Sequence, residues 1–411
     1  MPWKETRVVD ERMRFVLAAE AGEEAFAAVC RRFGISRQHG VKWLTRWRAE
    51  GVAGLADRSR APLHHPQAVA AELAEACLDV RRAHPTWGPV KVRAWLERKR
   101  PSGAPWPAAS TIGGLFDREG LTVKRKLRRR GPPGGPLFAA EAANDVWTID
   151  FKGWFRTGDG TRVDPLTLSD ACSRYLLRCQ AVARPDTEHV WPILDAAFRE
   201  YGLPLRLRSD NGPPFATIGA GGLSRLSVRA IKAGVTPERI RPGRPQENGR
   251  HERLHLTLLQ DTAAPPAATL RAQQARFRRF QADYNEERPH AAHDGATPAD
   301  RHAPSPRRWD GVLRSPEPDA DATVRKVRRN GTIKWRGACI HVSEALTGEP
   351  VGLAETEDGR WEVRYGPVLL GFIAHGDDRL KRPRKGADGL VDNAERCPQG
   401  PQPQQQQPPG T

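Results

Sequence analysis

The chain has 411 residues, enough for several domains of ordinary size, and its 66 Lys and Arg against 49 Asp and Glu give a formal net charge of +17. This balance favours a polyanionic partner, most commonly nucleic acid, over an acidic substrate, although a basic surface that serves only solubility stays open. Runs of about 18 apolar residues, an amino-terminal signal pattern and CxxC pairs are absent, so we expect a cytoplasmic chain without membrane helix, zinc ribbon or disulfide framework.

Residues 1–60 are predicted to form a helix-turn-helix DNA-binding domain of three short helices. Gly34 permits a tight turn, and Ser36 can cap the helix that follows and enters the major groove. The side chains available to pack that helix are Val41, Leu44 and Trp47. The predicted DNA contacts are Ser36, Arg37, Gln38, Lys42 and Arg46. An ordinary helical hairpin would show the same local pattern.

Residues 61–123 are predicted to form a second helical, helix-turn-helix-like DNA-binding module. It contains HPTWGPVKVRAWLERKR, a Pro-rich break and PAASTIGGLFDREG, where Ser110 or Thr111 could begin a helix. A basic Gly/Pro linker over 124–140 follows, because its glycines and prolines disfavour helix and sheet. Its cations could neutralise DNA phosphates or only solvate a hinge. These side chains are Lys124, Arg125, Lys126, Arg128, Arg129 and Arg130.

The segment 141–302 has an α/β pattern. VWTIDFKGWF, RVDPLTLSDA and RYLLRCQAV indicate three strands, TEHVWPILDAAFREYG an amphipathic helix, and LPLRLRSDNG a further strand. A Gly-rich loop, a short helix, a helix opened by Pro245 and another over 268–287 complete the segment. Antiparallel strands followed by a crossover helix and another strand predict a mixed sheet flanked by helices.

A Pro-rich linker over 303–321 precedes an all-β unit at 322–375, which we predict to be a small barrel. Asn330-Gly331 stands between TVRKVRR and TIKWRG, which is a signal for a two-residue hairpin. The basic side chains flanking it are Arg325, Lys326, Arg328, Arg329, Lys334 and Arg336. They could grip DNA phosphates independently of sequence, or form a soluble basic face. The low-complexity tail over 376–411 is predicted to be disordered.

Three acidic residues of the α/β segment could hold metal ions. Asp150 lies inside an apolar strand, where a carboxylate is costly unless paired, hydrogen-bonded or metal-bound. Asp210 ends the strand LPLRLRS, at the strand terminus where ligands collect in open α/β sheets. Glu252 lies on the following helix, with Asn248 one turn before it. Clustered carboxylates repel one another and favour cations such as Mg²⁺ or Mn²⁺.

Each acid also has a structural alternative. Asp150 could pair with an arginine inside the core. The sequence Asp210-Asn211-Gly212 could be an ordinary turn. Glu252 could pair with Arg253 at the surface.

The motifs WTIDFKG, LSDACSRYLL, LRSDNGPPF and RPGRPQENGRHERLHLTL resemble, in this order, those of the DDE transposases of bacterial insertion sequences, which share the retroviral-integrase catalytic core. FGISRQHGVKWLTRW, GLADRSRAP, HPTWGPVKVRAWL and ATPADRHAPSPRRW resemble other segments of the family, so the similarity covers nearly the whole chain. The resemblance implies an RNase H-like α/β core with a mixed five-stranded sheet. Asp150, Asp210 and Glu252 match the three family acids, with Asn211 and Asn248 in support.

The separation between Asp210 and Glu252 is longer than the one for which these enzymes are named. Glu247 would fit that separation better by count. We assign Glu252 because NGRHERLHLTL matches the glutamate helix of the family, and the extra residues fall in the loop ATIGAGGLSR.

The resemblance implies a transposase that binds the ends of a mobile element, cleaves them with a metal-activated water and joins the freed 3′-hydroxyl to target DNA. It implies two Mg²⁺ or Mn²⁺ ions, and a homodimer or higher oligomer on double-stranded DNA. We expect no zinc, because the His/Cys domain of retroviral integrases has no counterpart in the sequence. Two alternatives stay open: a helix-turn-helix regulator or inactive transposase copy, and a nuclease of the same core fold that never joins strands.

Overall fold

The computed structural model describes residues 8–59, 69–100, 104–122, 138–217, 219–240 and 249–382. The predicted phosphate contacts at 124–130, Pro245, Glu247, Asn248 and the tail beyond 382 therefore lie outside the described residues. The chain divides into two compact units, Met1–Val69 and Ala70–Thr411. Within the described ranges, no helix is both long and apolar enough to cross a membrane.

The first unit contains the three predicted helices: α1 (Val8–Ala21), α2 (Phe26–Arg32) and α3 (Arg37–Glu50). Gly34 has a φ of +66°, a left-handed conformation suited to the turn that follows α2. Ser36 caps α3, because its side chain accepts the His39 backbone N–H at 3.2 Å. The turn at Gly34 and the cap at Ser36 both agree with the prediction from the sequence.

The buried face of α3 differs from the predicted one at Val41, whereas the predicted Leu44 and Trp47 do pack against the core of this unit. Val41 is 53% exposed, whereas Gly40 and Trp43 are buried. A Cβ on Gly40 would lie 2.7 Å from Cys30 Sγ and 2.9 Å from the Phe15 ring. The absence of a side chain at this position therefore lets α3 approach α1 and α2 closely, and this contact sets its rotation.

Three further helices form the predicted second helical module: α4 (Ala71–Ala83), α5 (Pro89–Lys99) and α6 (Ala109–Arg118). Trp87, Leu96 and Phe116 lie in their shared core. The helix α6 begins at Ala109 and has no side-chain cap, so neither Ser110 nor Thr111 starts it.

The centre of the second unit is a mixed sheet of β1 (Val146–Phe151), β2 (Phe155–Arg156), β3 (Arg162–Asp170), β4 (Leu176–Val182), β5 (Arg206–Ser209) and β6 (Thr236–Arg239). The strand order β4-β3-β1-β5-β6 is antiparallel from β4 to β1 and parallel from β1 to β6. The predicted five-stranded mixed sheet is therefore present, and the two-residue β2 adds a sixth strand beside β3.

The helices α7 (Thr187–Tyr201), α8 (Arg225–Lys232), α9 (Gly249–Thr262) and α10 (Leu270–Ala282) cover the sheet. Along β3, Leu166 and Leu168 share a core with α7 and α8, whereas Val163 shares a separate core with α9 and α10. Because successive strand side chains point to opposite faces, even- and odd-numbered β3 residues face different helix pairs.

The helix α5 binds the residues that follow α10 through ion pairs. Arg98 donates to both carboxylate oxygens of Asp300, at 2.7 and 3.1 Å. Lys99 Nζ lies 2.8 Å from a Glu287 carboxylate oxygen. Part of the positive charge of the second helical module is thus used inside the unit.

The described C-terminal strands are β7 (Thr323–Lys326), β8 (Thr332–Trp335), β9 (Ala338–His341), β10 (Pro350–Glu355), β11 (Trp361–Tyr365) and β12 (Val368–Ile373). They form an open four-stranded sheet, β12-β11-β10-β7, and a separate β8-β9 ladder. The predicted barrel is not confirmed, because the residues described here contain no closed barrel.

The prediction of a two-residue hairpin at Asn330-Gly331 is wrong. The pair does turn the chain, but β7 pairs with β10 and β8 pairs with β9. The two-residue hairpin turn is instead Arg336-Gly337, where φ is +45° and +87°. Positive φ at both central residues matches the twist of the flanking strands.

The C-terminal sheet shares a hydrophobic core with α8. Val228 and Ile231 of that helix cluster with Leu353 and Tyr365 of the sheet. Glu349 joins the two parts further, because its carboxylate accepts from Lys232 at 2.6 Å and from the Tyr365 hydroxyl at 2.9 Å.

The predicted linker over 303–321 contains no helix or strand, yet it is bound to the core. Ser305 Oγ donates to the Leu203 carbonyl at 2.7 Å, and Arg307 Nη2 donates to the Gly234 carbonyl at 2.6 Å. These bonds fix the path of the chain between the core and the C-terminal sheet.

Gly40→Ala tests the close approach at α3. Replacing a glycine inside a helix by alanine normally stabilises it by about 1 kcal/mol, but here the added Cβ would overlap Cys30 and Phe15. We expect the free energy of unfolding of the first unit to fall by about 1–3 kcal/mol in urea denaturation. The matched control is Gly114→Ala in α6, where no atom lies within 4 Å of the new Cβ. Stabilisation by both substitutions would contradict the packing.

His290 should make the second unit sensitive to acid. Its Nε2 is buried and has no hydrogen-bond partner among the described residues. Burial, followed by the charges of Lys91 and Arg288, lowers its pKa to about 3. Because unfolded histidine titrates near 6.5, the unfolded state alone gains the proton as pH falls from about 6.5 towards 3.

We therefore expect this group to cost the second unit up to about 2 kcal/mol at pH 5 relative to pH 7. His290→Phe removes this one titration and should reduce the pH dependence of the unfolding free energy by up to about 2 kcal/mol, whereas the contributions of the buried His251 and His255, whose pKa values are also lowered, stay. Denaturant titrations of both proteins at the two pH values measure the difference. Equal losses in both would show that His290 does not titrate as stated.

Candidate active site

The parallel pairing of β1 with β5 aligns two of the predicted acids. The register pairs Thr148 with Arg208, and the same offset carried two residues further sets Asp150 level with Asp210, which directly follows β5. By strand alternation Asp150 belongs to the face opposite Trp147, whose side chain packs against α7. The face of Asp150 is the one that α9 covers.

Asp150 lies beneath α9. Its side chain is 16% exposed, and its Oδ2 lies 3.9 Å from His255 Nδ1. Burial, followed by the charges of His251 and Lys152, lowers the pKa of His255 to about 2. The imidazole is therefore neutral at physiological pH, and it does not neutralise the carboxylate.

A buried hydroxyl joins α9 to the sheet. Thr167 of β3, fully buried and paired in register with Asp150, has its Oγ1 2.8 Å from His251 Nε2 and 2.7 Å from His255 Nε2. The same hydroxyl donates to the Asp150 carbonyl at 3.3 Å. Both Nε2–H groups can then donate to its two lone pairs, so one arrangement satisfies the hydroxyl and both Nε2 atoms.

Asp210 begins a turn with Asn211 and Gly212, which is the structural alternative given for it in the sequence analysis. Its Oδ1 accepts the Gly212 N–H at 3.2 Å, which is the local bond expected of an aspartate at the start of a turn. Asn211 Nδ2 donates to the Ile240 carbonyl at 2.7 Å. Asn211 therefore braces the loop against the end of β6.

Glu252 is exposed in the first turn of α9, three residues before His255. Among the residues that the structure describes, no three His, Cys, Asp or Glu side chains form a group that could hold a metal ion. The register of β1 with β5 thus sets Asp150 level with Asp210. The structure does not gather Glu252 into one group with them, and the three-acid site stays a prediction.

The predicted DNA contacts of the first unit lie on α3. Arg37, Gln38 and Lys42 are exposed. Arg46 is half-buried, with its guanidinium carbon 5.2 Å from the centre of the Trp43 ring. Ser36 caps the helix, and its side chain is committed to that bond.

The predicted C-terminal contacts lie on β7 and in the turn after it. The exposed ones are Arg325, Lys326, Arg328 and Arg329. The Arg325 guanidinium carbon lies 5.2 Å from the centre of the Trp335 ring, which orients this cation.

The sequence alone does not single out Thr167, because a threonine in an apolar strand looks like any strand residue. His251 and His255 did leave a signal. They are four residues apart, on the side of α9 that also carries Leu254 and Leu258, so both were predictable as buried groups needing a partner.

Five family models match the chain. Residues 11–62 match a helix-turn-helix domain and 40–115 a homeodomain-like domain. Residues 140–245 and 233–298 match two models of the integrase core domain. Residues 322–373 match the C-terminal domain of IS481 family transposases.

Relatives of the chain come from insertion elements. The insertion element IS407 uncharacterized 31.7 kDa protein of Burkholderia multivorans is 28% identical over 242 residues, which span 58% of this chain and 82% of that protein. The insertion element IS476 uncharacterized 39.2 kDa protein of Xanthomonas euvesicatoria is 27% identical over 267 residues, which span 62% of this chain and 72% of that protein. The HTLV-2 integrase catalytic core domain solved in complex with magnesium is 16% identical, covering 40% of this chain and 99% of its own, with a TM-score of 0.30.

Thr167→Val tests the buried hydroxyl with little change of volume. Two buried imidazole nitrogens lose their acceptor, and each unsatisfied group costs about 1–3 kcal/mol. We expect the second unit to lose about 2 kcal/mol or more of unfolding free energy, and the amides of α9 to exchange hydrogen faster. Thr257→Val on α9 is the matched control, because its buried hydroxyl bonds only the Arg253 carbonyl one turn away. Equal losses in both variants would contradict the special role of Thr167.

Proposed function

We infer that this chain, which resembles the DDE-type transposases of bacterial insertion sequences, binds the ends of a mobile DNA element, cleaves them and joins them to target DNA. The integrase core at 140–245, the IS481 transposase domain at 322–373 and the insertion-element relatives confirm the resemblance predicted from the sequence motifs. The observation that supports the proposed chemistry is the parallel register of β1 with β5, which, carried two residues further, sets Asp150 level with Asp210.

Mg²⁺ or Mn²⁺ suits the donors of this site. Asp150 and Asp210 offer carboxylate oxygens, which these hard cations prefer, and Glu252 would add a third carboxylate from α9. When bound, a pair of such ions supplies activation of the attacking oxygen and stabilisation of the leaving one. Asn211 would hold the Asp210 loop in place, and Asn248 would support the start of the Glu252 helix. The proposal includes no zinc.

The reaction needs no covalent enzyme intermediate. In cleavage, a water oxygen bonds to phosphorus and the bond from phosphorus to the 3′ oxygen of the element end breaks, leaving a 3′-hydroxyl. In joining, that hydroxyl loses its proton and its oxygen bonds to a target phosphorus, while the target 3′ oxygen leaves and is protonated. The protein binds both DNAs and aligns the attacking and leaving oxygens in line.

The remaining residues would bind the DNA. In the proposal, the domains at 1–60 and 61–123 recognise element ends, the basic segment 124–140 contacts phosphates, and the all-β unit at 322–375 holds DNA without regard to sequence. The core at 141–302 acts on two ends together, so a homodimer or larger assembly is required. We place this work in the bacterial cytoplasm, at the nucleoid.

Asp150→Asn tests the enzymatic proposal. With DNA carrying the inverted repeats that flank its gene and with Mg²⁺, the wild-type chain should cut and join these ends. The variant should fall to background in both steps yet bind the ends within about threefold of wild type, because the carboxylate serves the reaction rather than recognition. Asp321→Asn, at an exposed aspartate outside the core, is the control. Undiminished cutting by Asp150→Asn would refute the assignment.

One observation favours a second candidate, a DNA-binding chain that has lost catalysis. Glu252 is exposed, and the described residues contain no ready metal group. Binding of the ends by the wild type without any metal-dependent nicking would support this candidate. Cutting without joined product from precut ends would instead identify a nuclease.

A further inference from the structure

Trp154 exposes 55% of its surface in the loop that leads from β1 to β2, shortly after Asp150. Two guanidinium groups lie over its ring, with their carbons 5.7 Å (Arg156) and 5.1 Å (Arg162) from the ring centre. A single exposed aromatic side chain needs no explanation. An exposed indole next to two arginines has the composition of a nucleic-acid contact.

The two arginines are directly opposite each other. The register of β2 with β3 pairs Arg156 with Arg162, and like charges in this position destabilise a strand pair. Asp164 offsets part of the repulsion, because its carboxylate accepts two bonds from Arg162, at 2.8 and 3.3 Å. Arg156 donates to the Gly160 carbonyl. This acceptor is neutral, so the bond does not compensate the charge of Arg156. An anion beside Arg156 would relieve the repulsion.

The other acid of this segment is occupied by the turn itself. Asp159 Oδ1 accepts the Thr157 hydroxyl at 2.6 Å and the Thr161 N–H at 3.1 Å. Lys152, Arg156 and Arg162 thus outnumber two acids, both of which hold the local structure.

The turn between β2 and β3, next to Arg156 and Arg162, is bound to the chain that follows α9. The Gly158 N–H donates to the Ala267 carbonyl and the Asp159 N–H to the Ala268 carbonyl, both at 2.9 Å. A Cβ on Gly158 would lie 3.1 Å from Ala268 Cα, so the two segments are in close contact. The β2–β3 turn is therefore held in place before any DNA arrives, and with it the ends of the two strands that carry Arg156 and Arg162.

The indole is within reach of the proposed reaction. An extended residue spans at most about 3.3–3.6 Å, so the Cα atoms of Asp150 and Trp154 are separated by no more than about 14 Å. One DNA strand advances about 3.4 Å per nucleotide along a duplex. A nucleotide a few positions from the reacting phosphate can consequently meet Trp154.

We propose that Trp154 is a stacking site for an unpaired base of the DNA end, with Arg156 binding the adjacent phosphate. The base must be unpaired, because neighbouring bases cover both faces of a base within a duplex. The inference rests on the proposed function, and it names the form of DNA that the site takes: an end with at least one base out of the stack.

The test uses the full chain and two DNA probes that carry the same 2-aminopurine. One has the fluorescent base in a short single-stranded overhang, and the other has it paired in a blunt duplex. Wild-type protein should quench the overhang probe, because the base stacks on the indole. Trp154→Ala should abolish the quenching and weaken overhang binding about tenfold, which matches the usual contribution of one stacked base.

Two further variants sharpen the comparison. Trp154→Phe keeps an aromatic face and should retain most of the affinity for the overhang probe. Leu205→Ala removes an exposed apolar side chain, 36% accessible, just before β5 and thus at the far end of that strand from Asp210. It should leave both probes unaffected.

A measurement on the unaltered chain removes any dependence on folding of the variants. With 5-iodouracil in the overhang, ultraviolet cross-linking followed by mass spectrometry should locate the adduct at Trp154. Cross-links found only elsewhere would overturn the inference. So would equal weakening of both probes by Trp154→Ala, which would indicate a general phosphate contact, or a change only in the self-association of the chain.

The outcomes also separate this inference from the proposed function. A chain that cuts and joins ends without quenching or cross-linking overturns the stacking site alone. A chain that stacks the overhang base at Trp154 and never cuts with any divalent metal overturns the proposed function and leaves the stacking site standing.

Discussion

The site depends on a single buried hydroxyl. Leu254 and Leu258 give α9 an apolar face, but apolar burial alone tolerates sliding and rotation of a helix. The Thr167 hydroxyl does not, because two imidazole nitrogens and one carbonyl meet it at hydrogen-bond distance. A shift of α9 by one turn would leave buried polar groups unsatisfied. The position of the Glu252 helix over the Asp150 strand is therefore specified by polar contacts rather than by apolar area.

Local chemistry was predictable from the sequence, whereas partner choice at a distance was not. The Ser36 cap and the left-handed Gly34 depend on neighbouring residues only, and both are as expected. The rotation of α3 depends on the close approach of Cys30 and Phe15 to Gly40, which has no side chain. The spacing of apolar residues along the helix does not predict this contact. Likewise β7 pairs with β10 rather than with its sequence neighbour β8, so a good turn signal predicted the wrong ladder. For the acids, the register of β1 with β5 sets Asp150 level with Asp210, and the convergence of both with Glu252 stays a prediction.

The net charge of +17 overstates the cationic surface available to DNA. Arg98 and Lys99 of the second helical module are paired with carboxylates that follow α10. Lys91 donates to the Pro289 carbonyl, and burial lowers its pKa to about 7, so its charge is only partly retained. The exposed cations of α3 and β7 therefore matter more for phosphate binding than the overall composition suggests.

The apolar contact between α8 and the C-terminal sheet bears on how such a gene can decay. A stop codon ahead of β7 would remove the strands that cover Val228 and Ile231. The shortened product would keep its helix-turn-helix domain, but the apolar face of α8 would be exposed to water, and an exposed apolar patch promotes aggregation and proteolysis. A stable DNA-binding fragment would therefore need further substitutions that replace the apolar side chains of α8 by polar ones.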